Sequence, residues 1–114
     1  MNKMVSLTVA IFILNNILIW YQLNSQLVWE WAKGAKSMWL MALLGIPISL
    51  LFWWATKIGY AAFENLWAVR FIGFATSMIT FPIMTYFYLG EVFLLKTYLC
   101  IVLALLIMLI QIIM

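Results

Sequence analysis

Histidine is absent from this chain, and acidic side chains number only three, Glu30, Glu64 and Glu91. The first absence removes the side chain most often used as a general base near neutral pH and most often used to ligate metals. The single cysteine, Cys100, cannot close an intrachain disulfide, so it says nothing about redox compartment. There is no Cys/His cluster, no glycine-rich phosphate loop and no Ser/His/Asp set. Nucleophile, base and cofactor motifs are therefore all missing, and neither enzymatic catalysis nor a bound cofactor or metal is expected. Basic side chains are also few: six Lys and Arg give a net charge of +3 with no basic run, so nucleic acid is not an expected partner.

Hydrocarbon fills the space that charge leaves. The chain has 114 residues, 69% of them hydrophobic and 8% charged. A soluble domain of this size has a large surface and needs charge to cover it, so here most of the surface is expected to face membrane lipid. A crossing takes about 20 apolar residues, and the length then allows four helices with short connections and no extramembrane domain. The fold class read from the sequence is all-α, a single four-helix membrane domain over residues 1–114. Its helices are expected over about 4–23, 37–56, 66–89 and 92–114. The first 25 residues begin near Lys3 like a signal peptide. Their long apolar run and amide-rich sequel predict a retained helix instead.

Each span has features of its own. In helix 1, Thr8, Asn15 and Gln22 recur every seven residues and lie near one face. Amides in hydrocarbon are costly unless paired, so this face should point into the protein, either for interhelical hydrogen bonding or as the lining of a substrate path. Asn24 to Lys36 reads as the longest connection, with Trp29 and Trp31 placed beside Lys33 and Lys36 as interfacial anchors or as ligand-stacking rings. Pro47 predicts a kink in helix 2, and Trp53, Trp54 and Lys57 mark its far end. The segment from Ile58 to Asn65 is expected to return toward helix 3.

In helix 3, Arg70, Gly73, Ser77, Thr80 and Met84 fall at i, i+3, i+7, i+10 and i+14, one helical face of small and hydroxyl residues below a cation. Pro82 leaves the Met78 carbonyl without its helical donor, and Gly90 suits the helix end. Glu64 before helix 3 and Glu91 at the start of helix 4 read as turn or pairing residues, because a carboxylate favours the positive end of a helix. Helix 4 is nearly unbroken hydrocarbon after Lys96, and the chain contains no GxxxG. Arg70 is the charge most in need of a reason: it either snorkels or pairs with Glu64, or it forms an anion site facing the Asn15/Gln22 side.

Four crossings place Lys3, Lys57 and, if it snorkels, Arg70 on one side and Lys33, Lys36 and Lys96 on the other. The balance gives no preferred orientation under the positive-inside rule and permits insertion both ways.

The stretch FPIMTYFYLGE with its apolar final helix resembles the closing helix pair of the drug/metabolite transporter superfamily, where a Leu-Gly-Glu turn precedes the last span. FWWATKIGYAA and the following small-residue helix are similar to the same region of the small multidrug resistance family. ILNNILIWYQL, the tryptophan-rich entry to helix 2 and YLGE look closest to a group of short four-helix proteins in that superfamily. The resemblance covers roughly residues 8–114. It implies a four-helix unit working as a homodimer, antiparallel or parallel, in a bacterial-type inner membrane, with an unknown small-molecule substrate held between helices 1–3. One departure matters: small multidrug transporters carry a glutamate in mid-helix 1, where this chain has Leu14, Asn15 and Asn16. Neither amide titrates, so the resemblance does not extend to proton-coupled cation antiport.

The expected function is a small dimeric transporter of the drug/metabolite type, with a path through Asn15, Gln22, Arg70, Ser77 and Thr80 and structural roles for Glu64, Gly90 and Glu91. Broken helices near a midplane site are common in transporters, and Pro47 and Pro82 supply candidate breaks. The alternatives are a non-catalytic membrane subunit or scaffold and a small pore-forming protein.

Overall fold

The computed structural model describes residues 3–113. The chain forms four long helices, α1 (Lys3–Val28), α2 (Ala35–Phe63), α3 (Leu66–Leu89) and α4 (Leu95–Ile113), with one short 3-10 turn at Glu30–Ala32. All four are long and apolar enough to cross a membrane. At about 1.5 Å per residue α2 is about 44 Å long, more than the hydrocarbon thickness of about 30 Å, so tilt or protruding ends must absorb the excess.

The boundaries follow local chemistry. α1 runs past residue 23 to Val28, because the polar residues there continue the helical ladder: Trp29 N–H donates to the Ser25 carbonyl at 2.9 Å, and Gln26 Nε2 reaches the Leu23 carbonyl. The connection to α2 therefore shrinks to residues 29–34. It is tied by Ser37, whose hydroxyl donates to the Trp31 carbonyl. α2 likewise continues past residue 56, and Ile58 to Phe63 are helix. Pro47 lies inside an unbroken helical assignment, as does Pro82 in α3.

α3 has the boundaries that the sequence predicts, residues 66–89. Its start is set by Asn65, whose side-chain oxygen accepts from Trp67 N–H at 2.9 Å. Asn65 thus fills the N-cap position, where a side-chain acceptor satisfies an orphan donor. Glu64 instead closes α2 in the left-handed region at φ 56°. Its carboxylate forms no ion pair with Arg70 among the described residues. Gly90 ends α3 at φ 68°, a conformation that glycine adopts without strain. α4 begins at Leu95, so Glu91 stands in the non-helical residues 90–94 and not at a helix start; Met114, at the end of the expected span, lies outside the described residues.

The helices pack as a bundle whose Cα extents are 45 × 35 × 19 Å. α1 packs on both α2 and α3, and α4 packs on α3. Ile11 and Phe12 from α1, Ala55 from α2 and Val69 and Ile72 from α3 form the core, and Met108 and Ile112 of α4 pack against it. The first three helices pack tightly at Gly59: a Cβ there would lie 3.0 Å from Thr8 Cγ2 and 3.1 Å from Val69 Cγ2. α4 buries a single residue, Ala104. Most of the remaining apolar surface of α2 and α4 has no protein neighbour.

Candidate functional site

A cavity of about 840 Å³ lies between α1, α2 and α3. Arg70 and Lys57 are its charged lining residues, and Asn16, Thr56, Tyr60 and Ser77 supply the rest of its polar lining outside the tryptophan indole. The helical repeat explains the convergence. Arg70, Gly73 and Ser77 occupy one face of α3, with Ser77 about 10 Å along the axis from Arg70. On α2, Trp53, Thr56, Lys57 and Tyr60 fall at i, i+3, i+4 and i+7, which is again one face. Gly73 provides the room, since Phe12 Cε1 lies 3.0 Å from where its Cβ would sit.

Among the described residues neither cation forms an ion pair. Lys57 Nζ sits 5.3 Å from the centroid of the Trp53 ring, a cation–π distance. Among the described residues the ion pair formed is Lys33 to Glu30 at 3.1 Å, out on the α1–α2 connection. Glu91 lines a smaller cavity beside Pro82 that adjoins this one at Ser77 and Phe81.

At mid-depth, Asn16 Nδ2 donates to Thr76 Oγ1 at 3.0 Å. The Thr76 hydroxyl lies 2.9 Å from the Ile72 carbonyl and 2.8 Å from the Gly73 carbonyl, within the same turn. This bond joins α1 to α3 and fixes the Asn16 amide at the cavity wall.

The five path residues expected from sequence do not share one space. Arg70 and Ser77 line the cavity. Thr80 turns away, toward a second, almost wholly apolar cavity of about 810 Å³ between α1, α3 and α4, which Met84 also lines. Gln22 belongs to the α1–α2 seam, where its Nε2 donates to the Met41 carbonyl at 2.9 Å and packs against Gly45. Asn15 is fully buried, and neither Nδ2 nor Oδ1 has a hydrogen-bond partner among the described residues. It is seven residues from both Thr8 and Gln22, which contact α2, so it occupies the same α1 face. The cavity amide is its neighbour Asn16.

The sequence reading missed Lys57 and Tyr60 as site residues because it ended helix 2 at residue 56, and with them it missed Thr56 on the same face. The i, i+3, i+4, i+7 spacing of Trp53 to Tyr60 was the available signal. Trp29 and Trp31 stack on each other with centroids 6.2 Å apart, and Trp29 also stacks on Tyr21. Trp20 is buried beside them, its Nε1 donating to Thr85 Oγ1 at 3.1 Å and its ring stacked 5.0 Å from Tyr88. Tyr21 and Tyr88 are hydrogen-bonded through their hydroxyls. This aromatic cluster binds the end of α3 to the α1–α2 corner.

The class defined by these features is an all-helical protein with four helices long and apolar enough to span a membrane. No protein-family model matches the chain, and no curated protein or solved structure matches it either.

Proposed function

We propose that the protein is a small membrane transporter of the drug/metabolite type, working as a homodimer in a bacterial-type inner membrane and moving a small molecule through the cavity between α1, α2 and α3. The observation that carries this reading is the cavity itself: two cations, an amide and hydroxyls gathered on three spans that are otherwise hydrocarbon. Ionisable groups inside a span are expensive, and those that face a cavity mark substrate paths. Its volume of about 840 Å³ suits a drug-sized ligand. Coupling through a helix 1 carboxylate is not part of the proposal, since Asn15 and Asn16 stand in that region.

The test is solute flux in proteoliposomes. Arg70→Ala and Ser77→Leu should each reduce flux strongly, and Lys96→Ala, on the far side of the bundle, should not. Unchanged flux in both cavity variants would mean that the path lies elsewhere.

A second reading, a non-catalytic membrane subunit, is favoured by α4, which buries only Ala104 within the chain and leaves an apolar face open to a partner. Mass measurement after extraction in mild detergent separates the two: a homodimer supports the transporter, and a stoichiometric foreign chain supports the subunit.

A further inference from the structure

We infer that the cavity between α1, α2 and α3 selects an amphiphilic oxyanion, a phosphate, carboxylate or sulfonate head carried on an apolar or aromatic body. The inference rests on the reading of this cavity as a small-molecule site and specifies what that site takes.

The argument begins with charge. The cavity lining holds Arg70 and Lys57 and no carboxylate. None of the three acidic residues lines it: Glu30 is paired with Lys33, Glu64 is exposed in the turn that ends α2, and Glu91 lines the adjoining smaller cavity, which meets this one at Ser77 and Phe81, the end away from Arg70. The lining therefore carries two positive charges and no negative one. Both side chains are exposed at the mouth of the cavity, so an anionic head can reach them while a cationic one would be repelled from this wall.

Donor chemistry points the same way. A guanidinium presents five N–H donors in a fork that matches an oxyanion. Among the described residues none of those of Arg70 is engaged in a hydrogen bond or an ion pair. Lys57 rests against Trp53, which orients its ammonium but accepts no conventional hydrogen bond. Ser77 and Tyr60 line the same space, and among the described residues their hydroxyls form no hydrogen bond. Thr56 is different, because its hydroxyl donates to the Phe52 carbonyl at 2.7 Å.

Position along the helices supplies the amphiphilic part. Arg70 lies five residues after the N-cap Asn65, and Lys57 six residues before the end of α2, so both cations sit at the end of the cavity near the α2–α3 turn. Beyond them the walls are aromatic, with Phe12, Phe52, Phe74 and Phe81. A ligand with its head at Arg70 and Lys57 would lay its body against these rings. Both a bilayer lipid headgroup and a free amphiphile have this chemistry.

Three probes that share one photoreactive decyl chain and differ in the head, phosphate, trimethylammonium or hydroxyl, provide the test. The full chain is reconstituted in phosphatidylcholine nanodiscs, and labelled residues are mapped by mass spectrometry. The phosphate probe should label Phe52, Trp53 or Phe74 at least tenfold more than the ammonium probe does. Arg70→Gln should cut that labelling at least fivefold, Arg70→Lys, which keeps the charge and loses the fork, should cut it less than Arg70→Gln does, and Lys96→Gln should leave it unchanged. Helical circular dichroism of each variant confirms that the fold persists. If one third of phosphatidylglycerol in the nanodisc suppresses the labelling, the source is a bilayer lipid; if it does not, the source is a free amphiphile. Equal or stronger cavity labelling by the ammonium or hydroxyl probe overturns the oxyanion inference and leaves the small-molecule site standing. Labelling of the cavity no stronger than that of exposed α4 residues, for all three heads, overturns both.

Discussion

Asn16 on α1 and Thr76 on α3 are joined by a buried hydrogen bond of 3.0 Å, 60 residues apart in the chain. That bond ties α1 to α3, two of the three helices that line the cavity. Several other properties depend on similar single contacts.

The Asn16–Thr76 pair should couple in a double-mutant cycle. Interhelical hydrogen bonds in membrane proteins contribute about 0.6 kcal/mol on average and up to about 1.7. Asn16→Leu, Thr76→Val and the double variant, unfolded in mixed micelles, should give a coupling energy of about 0.5–2 kcal/mol. A coupling of zero would show that the two side chains do not interact in the folded protein.

Asn15→Leu should stabilise the chain. Its amide is completely buried with both polar atoms unpartnered among the described residues, and an unmet buried amide costs about 1–3 kcal/mol. Leucine has a similar shape and removes the unmet groups, so the unfolding midpoint should rise. A loss of stability would mean that Asn15 has a partner in the membrane, such as water, a second copy of the chain or a substrate.

Gly59→Ala should destabilise and Gly34→Ala should not. A Cβ at Gly59 meets Thr8 and Val69 at 3.0 and 3.1 Å, where neighbours on α1 and α3 must move. Overpacking of this kind costs about 1–3 kcal/mol. At Gly34 a Cβ meets nothing within 4 Å, so the change should stay within about 0.5 kcal/mol, as for other exposed sites. Thermal denaturation of the two variants in the same detergent is the direct comparison.

Trp20→Phe should loosen the end of α3. It removes the bond from Nε1 to Thr85 and weakens the stack on Tyr88, for a combined loss of about 1–2 kcal/mol. Hydrogen exchange should rise at residues 85–89 and stay constant at the Ile72 level. A uniform rise along α3 would instead mean that Trp20 supports the whole bundle.

The sequence by itself determined that this is a four-helix chain with membrane-spanning lengths. Hydropathy is a local, additive property, and four runs of apolar residues with charge confined to few positions leave little else to build. It also placed both ends of α3, because those ends rest on short-range chemistry: Asn65 as N-cap and Gly90 in the left-handed region. The other boundaries were less legible. Glu64 in a left-handed C-cap has no glycine to announce it, and the polar residues at the ends of α1 and α2 look like loop while they continue as helix.

Only the tertiary structure decided which polar residues share a space. Periodicity put Arg70, Ser77 and Thr80 on one broad stripe, yet the neighbouring helices divide that stripe between two cavities. Periodicity likewise could not choose between Asn15 and Asn16, which are 100° apart on the same helix. That choice depends on the rotation of α1 between α2 and α3, set by contacts such as Thr8 on Gly59 and Phe12 on Gly73. Those contacts are tens of residues apart in the chain, and no local pattern encodes them. The same long-range packing brings Lys57 to the wall that holds Arg70, and so gives the cavity its uncompensated positive charge.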